Sequence, residues 1–203
     1  MAGLAAVNQL GESIAAMLVA RRNLLAAADQ LGPIPASLDI AQVPLSKLAT
    51  APAPASGLTI SCTRIALSDH ARQRPQTRDA ASGAALALEV TYLLTAWGSG
   101  ADSDEQSILT WAMLELTARP VLDRSVLLGG PGVWQPDEVV QIVPETLSDD
   151  SLFRLWGALQ LKLRTSTTIR ARVLRISYGA ADTWPNVVAT RFGFADASDP
   201  LTA

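Results

Sequence analysis

The sequence predicts an α+β domain, a mixed or antiparallel sheet with helices packed on one face. Three observations carry this. Segments with the two-residue alternation of half-buried strands are interleaved with segments whose apolar residues recur every three or four positions. Their order is helix, strand, strand, helix, strand, helix, strand. Apolar residues make up 49% of the 203 and charged residues 17%, enough to bury a core within one domain.

The elements follow in order. Val7, Leu10, Ile14, Met17, Leu18, Leu24 and Leu25 lie at helical spacing, so residues Val7 to Ala28 form an amphipathic helix that Gly32 and Pro33 terminate. Pro33 to Gly57, with its Ala-Pro-Ala-Pro run, reads as an extended linker. Leu58 to Leu67 is rich in β-branched residues and predicts a strand, followed by a polar loop, Ser68 to Ala84. The clearest strand is Leu86 to Trp97, where Leu86, Leu88, Val90, Tyr92 and Leu94 alternate with Glu89, Thr91 and Thr95. Asp102, Asp104 and Glu105 open a helix with Leu109, Ala112, Met113 and Leu116 on one face, and Pro120 marks its exit. After a turn at Gly129-Gly130-Pro131-Gly132, Glu138 to Val143 predicts a short strand bounded by Pro144. Ser148 caps a second helix running to Leu161. In the last strand, Thr165 to Tyr178, the apolar phase set by Ile169 and Ala171 changes at Leu174 and Ile176, which points to a bulge or to burial on both faces. The expected division is a helix and Ala/Pro-rich arm over 1–57, an α+β domain over 58–178 and a tail over 179–203.

The residue inventory argues against catalysis. Cys62 is the sole cysteine, so an internal disulfide and a cysteine-based zinc site are both excluded. His70 is the sole histidine and sits in an arginine-bearing loop, where it reads as an ordinary loop residue. The acidic residues at 102–105 and at Asp149-Asp150 are placed as helix caps, and the glycine turn lacks the Lys-Ser/Thr of a phosphate loop. No catalytic, metal or cofactor residue is therefore assigned. A net charge of -3 gives no reason to expect nucleic acid. No stretch resembles a signal peptide or a membrane span, which predicts synthesis in the cytoplasm without membrane insertion.

The candidate residues are those of an interface. Arg72, Arg74 and Arg78 crowd the loop after the first strand. Trp134 and Trp184 stand beside Pro136 and Pro185 in loops, where an exposed indole would mark a protein contact. Arg170, Arg172 and Arg175 concentrate basic charge on the last strand, to pair with a neighbour's carboxylates or to blunt a sheet edge. Phe192 and Phe194 complete the set from the tail.

Three ordered segments carry a family likeness: LEVTYLLTAW (Leu88 to Trp97), ILTWAMLELTARPVLD (Ile108 to Asp123) and LSDDSLFRLWGALQLKLRTST (Leu147 to Thr167). Together they resemble the cap, or tube-terminator, proteins of extracellular contractile injection systems of the Photorhabdus virulence-cassette and antifeeding-prophage type. The resemblance implies a tail-terminator-like α+β fold assembled as a homohexameric ring, with the inner-tube protein and the sheath protein as partners. It implies no cofactor. The role it implies is structural, with release in the extracellular particle; the rival readings are a baseplate or tail-completion component and a cytoplasmic adaptor.

Overall fold

The computed structural model describes residues 2–48, 56–69, 84–98, 102–130 and 132–178. Within them α1 spans Ala6–Ala27, β1 Asp39–Gln42, α2 Leu45–Leu48, β2 Gly57–Leu67, β3 Ala84–Trp97, α3 Asp102–Ala118, β4 Val121–Leu122, β5 Val140–Glu145, α4 Asp149–Ala158 and β6 Ser166–Tyr178. The six strands form one sheet in the order β1-β2-β3-β6-β5-β4. Only β1 and β2 run parallel; the other neighbouring pairs are antiparallel. The α+β class and the mixed sheet are thus as the periodicities require.

Alternation along β3 explains how the sheet is covered. Val90, Tyr92, Leu94 and Ala96 point to one face, where they join Leu10, Ile14 and Leu18 of α1 and Ile108, Ala112 and Leu116 of α3 in the main core. Leu93 and Trp97 point to the other face and meet Trp156 of α4 and Leu48 of α2. The expectation of helices on a single face therefore holds for α1 and α3, while α4 and α2 cover the opposite side. The cause lies in α4, whose Trp156 is 2% exposed and whose indole Nε1 donates to Ser166 Oγ at 3.2 Å.

The packing does not divide at residue 57. α1 lies in the same core as the sheet, and Arg21 Nε reaches Glu115 Oε2 on α3 at 2.8 Å. Tyr92 of β3 donates its hydroxyl to the Val7 carbonyl at 3.0 Å. The segment read as a linker also holds structure: β1 pairs with Gly57 to Ile60 of β2, and α2 follows it. Four residues and a parallel partner leave almost no local signature. α1 itself ends at Ala27, earlier than Gly32, because Asp29 adopts the left-handed conformation (φ 53°) and the Gln30 N–H turns back to the Leu25 carbonyl at 2.8 Å.

Both long pairings contain a register shift. On β2 it falls between Cys62 and Arg64. On the β3–β6 pair, Leu88 faces Leu174 while Val90 faces Ala171, so β6 holds one residue more than β3 across the same span. The phase change read from Ala171 to Leu174 is this bulge. Strand β5 runs through Pro144 rather than stopping before it. Ile142 N donates to the Pro120 carbonyl at 2.6 Å, so Pro144, two residues on, turns its missing N–H to the same side, beyond the end of β4.

Candidate assembly surfaces

The bulge on β6 decides where the arginines go. Arg170 stands opposite Thr91, and Arg175 stands opposite Ala87, both on the face that also carries Glu89. One extra residue between them keeps Arg170, Arg172 and Arg175 together on this face, away from the α1 side. Arg170 is satisfied within the chain. Its Nε donates to Glu145 Oε2 at 3.1 Å, its Nη2 pairs with Glu145 Oε1, and its Nη1 lies 3.3 Å from Glu89 Oε2. Glu89 also accepts from Ser68 Oγ at 3.0 Å and lies 4.0 Å from Arg172 Nε. Arg172 Nε is buried without a hydrogen-bond partner, and Arg175 is exposed. Of the three arginines, Arg175 is thus the one turned fully to the outside, whereas Arg170 neutralises carboxylates of its own sheet.

Trp134 does not stand out from the surface. It is 4% exposed, in the main core, and its Nε1 donates to the Leu128 carbonyl at 2.7 Å. The glycine turn beside it is stitched to the N-terminal segment. Ser13 Oγ of α1 accepts from Leu128 N at 2.8 Å, and Gly3 N donates to the Val133 carbonyl at 2.9 Å. A Cβ on Gly3 would lie 2.7 Å from the Gly132 carbonyl oxygen, so this close approach requires glycine. The indole is buried instead, in a turn tied to α1 and the N-terminal segment, more than a hundred residues earlier in the chain.

Arg72, Arg74, Arg78, Trp184, Phe192 and Phe194 lie outside the described residues, as does His70. Glu105, one of the capping acids, is 7% exposed; it accepts from Gly98 N at 3.3 Å and from Arg164 Nη1 at 2.7 Å. Arg164 in turn stacks over Trp97, 5.4 Å from the ring centroid. Asp150 pairs with Arg154 one turn along α4 at 3.0 Å. Among the described residues no group of three or more His, Cys, Asp and Glu side chains is placed to hold a metal ion, and no helix is long and apolar enough to cross a membrane. Burial pushes the Cys62 thiol up from its ordinary value, against a smaller lowering by the Arg64 backbone contact. Tyr92 is likewise pushed up by burial and by the nearby Cys62.

Among the described residues, two stretches of sheet edge are open. β1 covers β2 only from Gly57 to Ile60, and no described strand pairs with residues 61–67 of β2 on that side. β4 covers β5 only at Val140 and Gln141, leaving Val143–Glu145 as the far edge beyond the Ile142 contact. Exposed apolar residues accompany these edges: Ile65 and Leu67 on β2, Val121 on β4 and Val139 just before β5. Neither edge was legible beforehand, since an edge is defined by which strand is absent from its side.

This mixed sheet, covered by helices on both faces, is a fold that the chain shares with a solved sheath/tube terminator. The sheath/tube terminator of the extracellular contractile injection system PVC, in its extended state, superposes on 97% of the chain with a TM-score of 0.54 and 16% identity. The chain belongs to the Pvc16 N-terminal domain family, which it matches over residues 10–190. It spans 65% of the length of the PVC terminator. The tube-terminating cap of the anti-feeding prophage is similar over 68% of this chain and 50% of its own length, at 14% identity and a TM-score of 0.44. No curated protein matches the chain by sequence.

Proposed function

We propose that the chain is a structural terminator. It closes the inner tube and anchors the last sheath layer at the distal end of a contractile injection particle. Membership of the Pvc16 N-terminal domain family across residues 10–190 is the observation that carries this reading. The partners are further copies of the chain in a ring, expected to be a hexamer, together with the tube and sheath proteins. The action is geometric. A ring that repeats the tube's symmetry pairs with its final layer and leaves no free polymerising face. The open edges of β2 and β5 suit such contacts, because an added strand gains affinity from backbone groups with little demand on sequence. Arg175 and the arginine loop at residues 72–78 supply charge to steer the contact. The protein is made in the cytoplasm and leaves with the particle.

The test is electron microscopy of particles assembled with and without the chain. The expected result is label at the end opposite the baseplate, and tubes of irregular length with detached sheath when the chain is missing. Label at the baseplate end would instead establish a baseplate or tail-completion component. Normal, uniform particles without the chain would leave the adaptor reading.

A further inference from the structure

On the α1 side of the sheet, three large apolar side chains remain half exposed: Ile65 at 54%, Leu67 at 50% and Leu86 at 50%. The register sets them side by side. Ile65 stands opposite Val90, Leu67 opposite Leu88 and Leu86 opposite Ile176, and Val90 and Ile176 both belong to the main core. The patch is therefore an extension of the core past the cover that α1 and α3 provide. Contiguous apolar surface of this kind marks a place where another segment packs.

Its position relative to the chain's own path identifies that segment. β6 ends at Tyr178, which pairs with Ala84, two residues from Leu86. The chain thus leaves the described sheet beside the patch. The family match continues to residue 190, so residues 179–190 belong to the family's domain. Trp184, Val187 and Val188 lie within that match, and Phe192 and Phe194 follow just beyond it. Two strand spacings and four residues along a strand separate Tyr178 from Leu67, about 16 Å. Residues 179–186 span up to about 27 Å, more than enough to reach it. A tether this short holds the segment at an effective concentration of about a millimolar, so it reaches the patch ahead of an external partner of ordinary affinity.

We propose that the segment from Trp184 to Phe194 packs in cis on the patch formed by Ile65, Leu67 and Leu86. It completes the core on the α1 face. The inference rests on the fold and stands independently of the capping role. Amide hydrogen exchange on the unaltered full chain reads it first. Residues 187–194 should exchange at least tenfold more slowly than an unstructured segment, and Leu67→Asp should abolish that protection while the amides of α1 stay protected. Exchange at the unstructured rate in the unaltered chain overturns the proposal. The geometry is read by disulfide trapping in a Cys62→Ser background, with Leu67→Cys or Ala66→Cys combined in turn with Val188→Cys and Phe192→Cys. Ala66, next to Leu67 on the same strand, faces the other side of the sheet at about 19 Å from Tyr178 by the same spacing. Intrachain disulfides should form at least tenfold faster through residue 67 than through residue 66. Equal rates would mean a segment that visits both positions without docking, and disulfides formed only between chains would assign the patch to a neighbouring copy; either result overturns the proposal.

Discussion

Replacing Leu10 by alanine should destabilise the whole protein, although Leu10 lies in the part of the sequence that reads as a separate arm. Its side chain is 0% exposed in the main core, whereas Leu24, about four turns further along the same helix, is 59% exposed. Leu10→Ala removes three carbon groups, a transfer loss of about 2.4 kcal/mol at roughly 0.8 per group. The cavity left behind raises this to about 3–4 kcal/mol. Leu24→Ala removes the same atoms from half-solvated surface and should cost under about 0.5 kcal/mol. Alanine is at least as good a helix former as leucine, so intrinsic propensity does not account for the difference. Urea unfolding followed by tryptophan fluorescence measures both, since Trp134 lies in the core that α1 covers. The expected result is one cooperative transition whose midpoint drops sharply for Leu10→Ala alone. Equal effects of the two substitutions, or a separate early transition that leaves the tryptophans unchanged, would refute the placement of α1 in the core.

Arg170→Met should cost about 2 kcal/mol, between the values for exposed and for buried ion pairs, because it leaves Glu89, whose side chain is 12% exposed, with only Ser68 and the more distant Arg172. A double-mutant cycle with Glu89→Gln should return a coupling of about 1 kcal/mol, and a coupling near zero would reject the network. Tyr92 gives a pH signature. Its folded-state ionisation is raised by burial, so its contribution is fully present below the unfolded value of about 10 and is lost as pH rises beyond it. Tyr92→Phe should lose about 1 kcal/mol at neutral pH, the hydrogen bond to Val7, and should flatten the fall in stability above about pH 10; the same slope in both proteins by urea titration would contradict this.

What the sequence made legible was what neighbouring residues determine together. The alternation of Leu86 to Trp97, the helix start at Asp102 and the cap at Ser148 depend on local spacing, and each corresponds to an element of the structure. The bulge was one of the two readings that the phase change allowed, because an extra residue displaces every later apolar position by one: Ile169 and Ala171 are buried, and so are Leu174 and Ile176. Features set by distant partners were not. β1 is a strand because Gly57 to Ile60 lie beside it. Trp134 is buried because Ser13 and Gly3 tie its turn to the start of the chain.

The same distinction governs the arginines, and with them the surface available for assembly. Their chemistry was readable, since guanidinium groups two residues apart on a strand share a face and call for carboxylates. Which chain would provide the carboxylates was not, because Glu89 precedes Arg170 by 81 positions and joins it only through the β3–β6 register. Once Glu89 and Glu145 hold Arg170, the basic cluster contracts to its outer member, Arg175. The bulge is what leaves Arg175 on this face; with one residue fewer in β6 it would turn into the α1 side, where Ile176 now lies buried. A deletion at the bulge would therefore interchange the polar and core faces for the rest of β6, and would strip the protein of this charge along with part of its core.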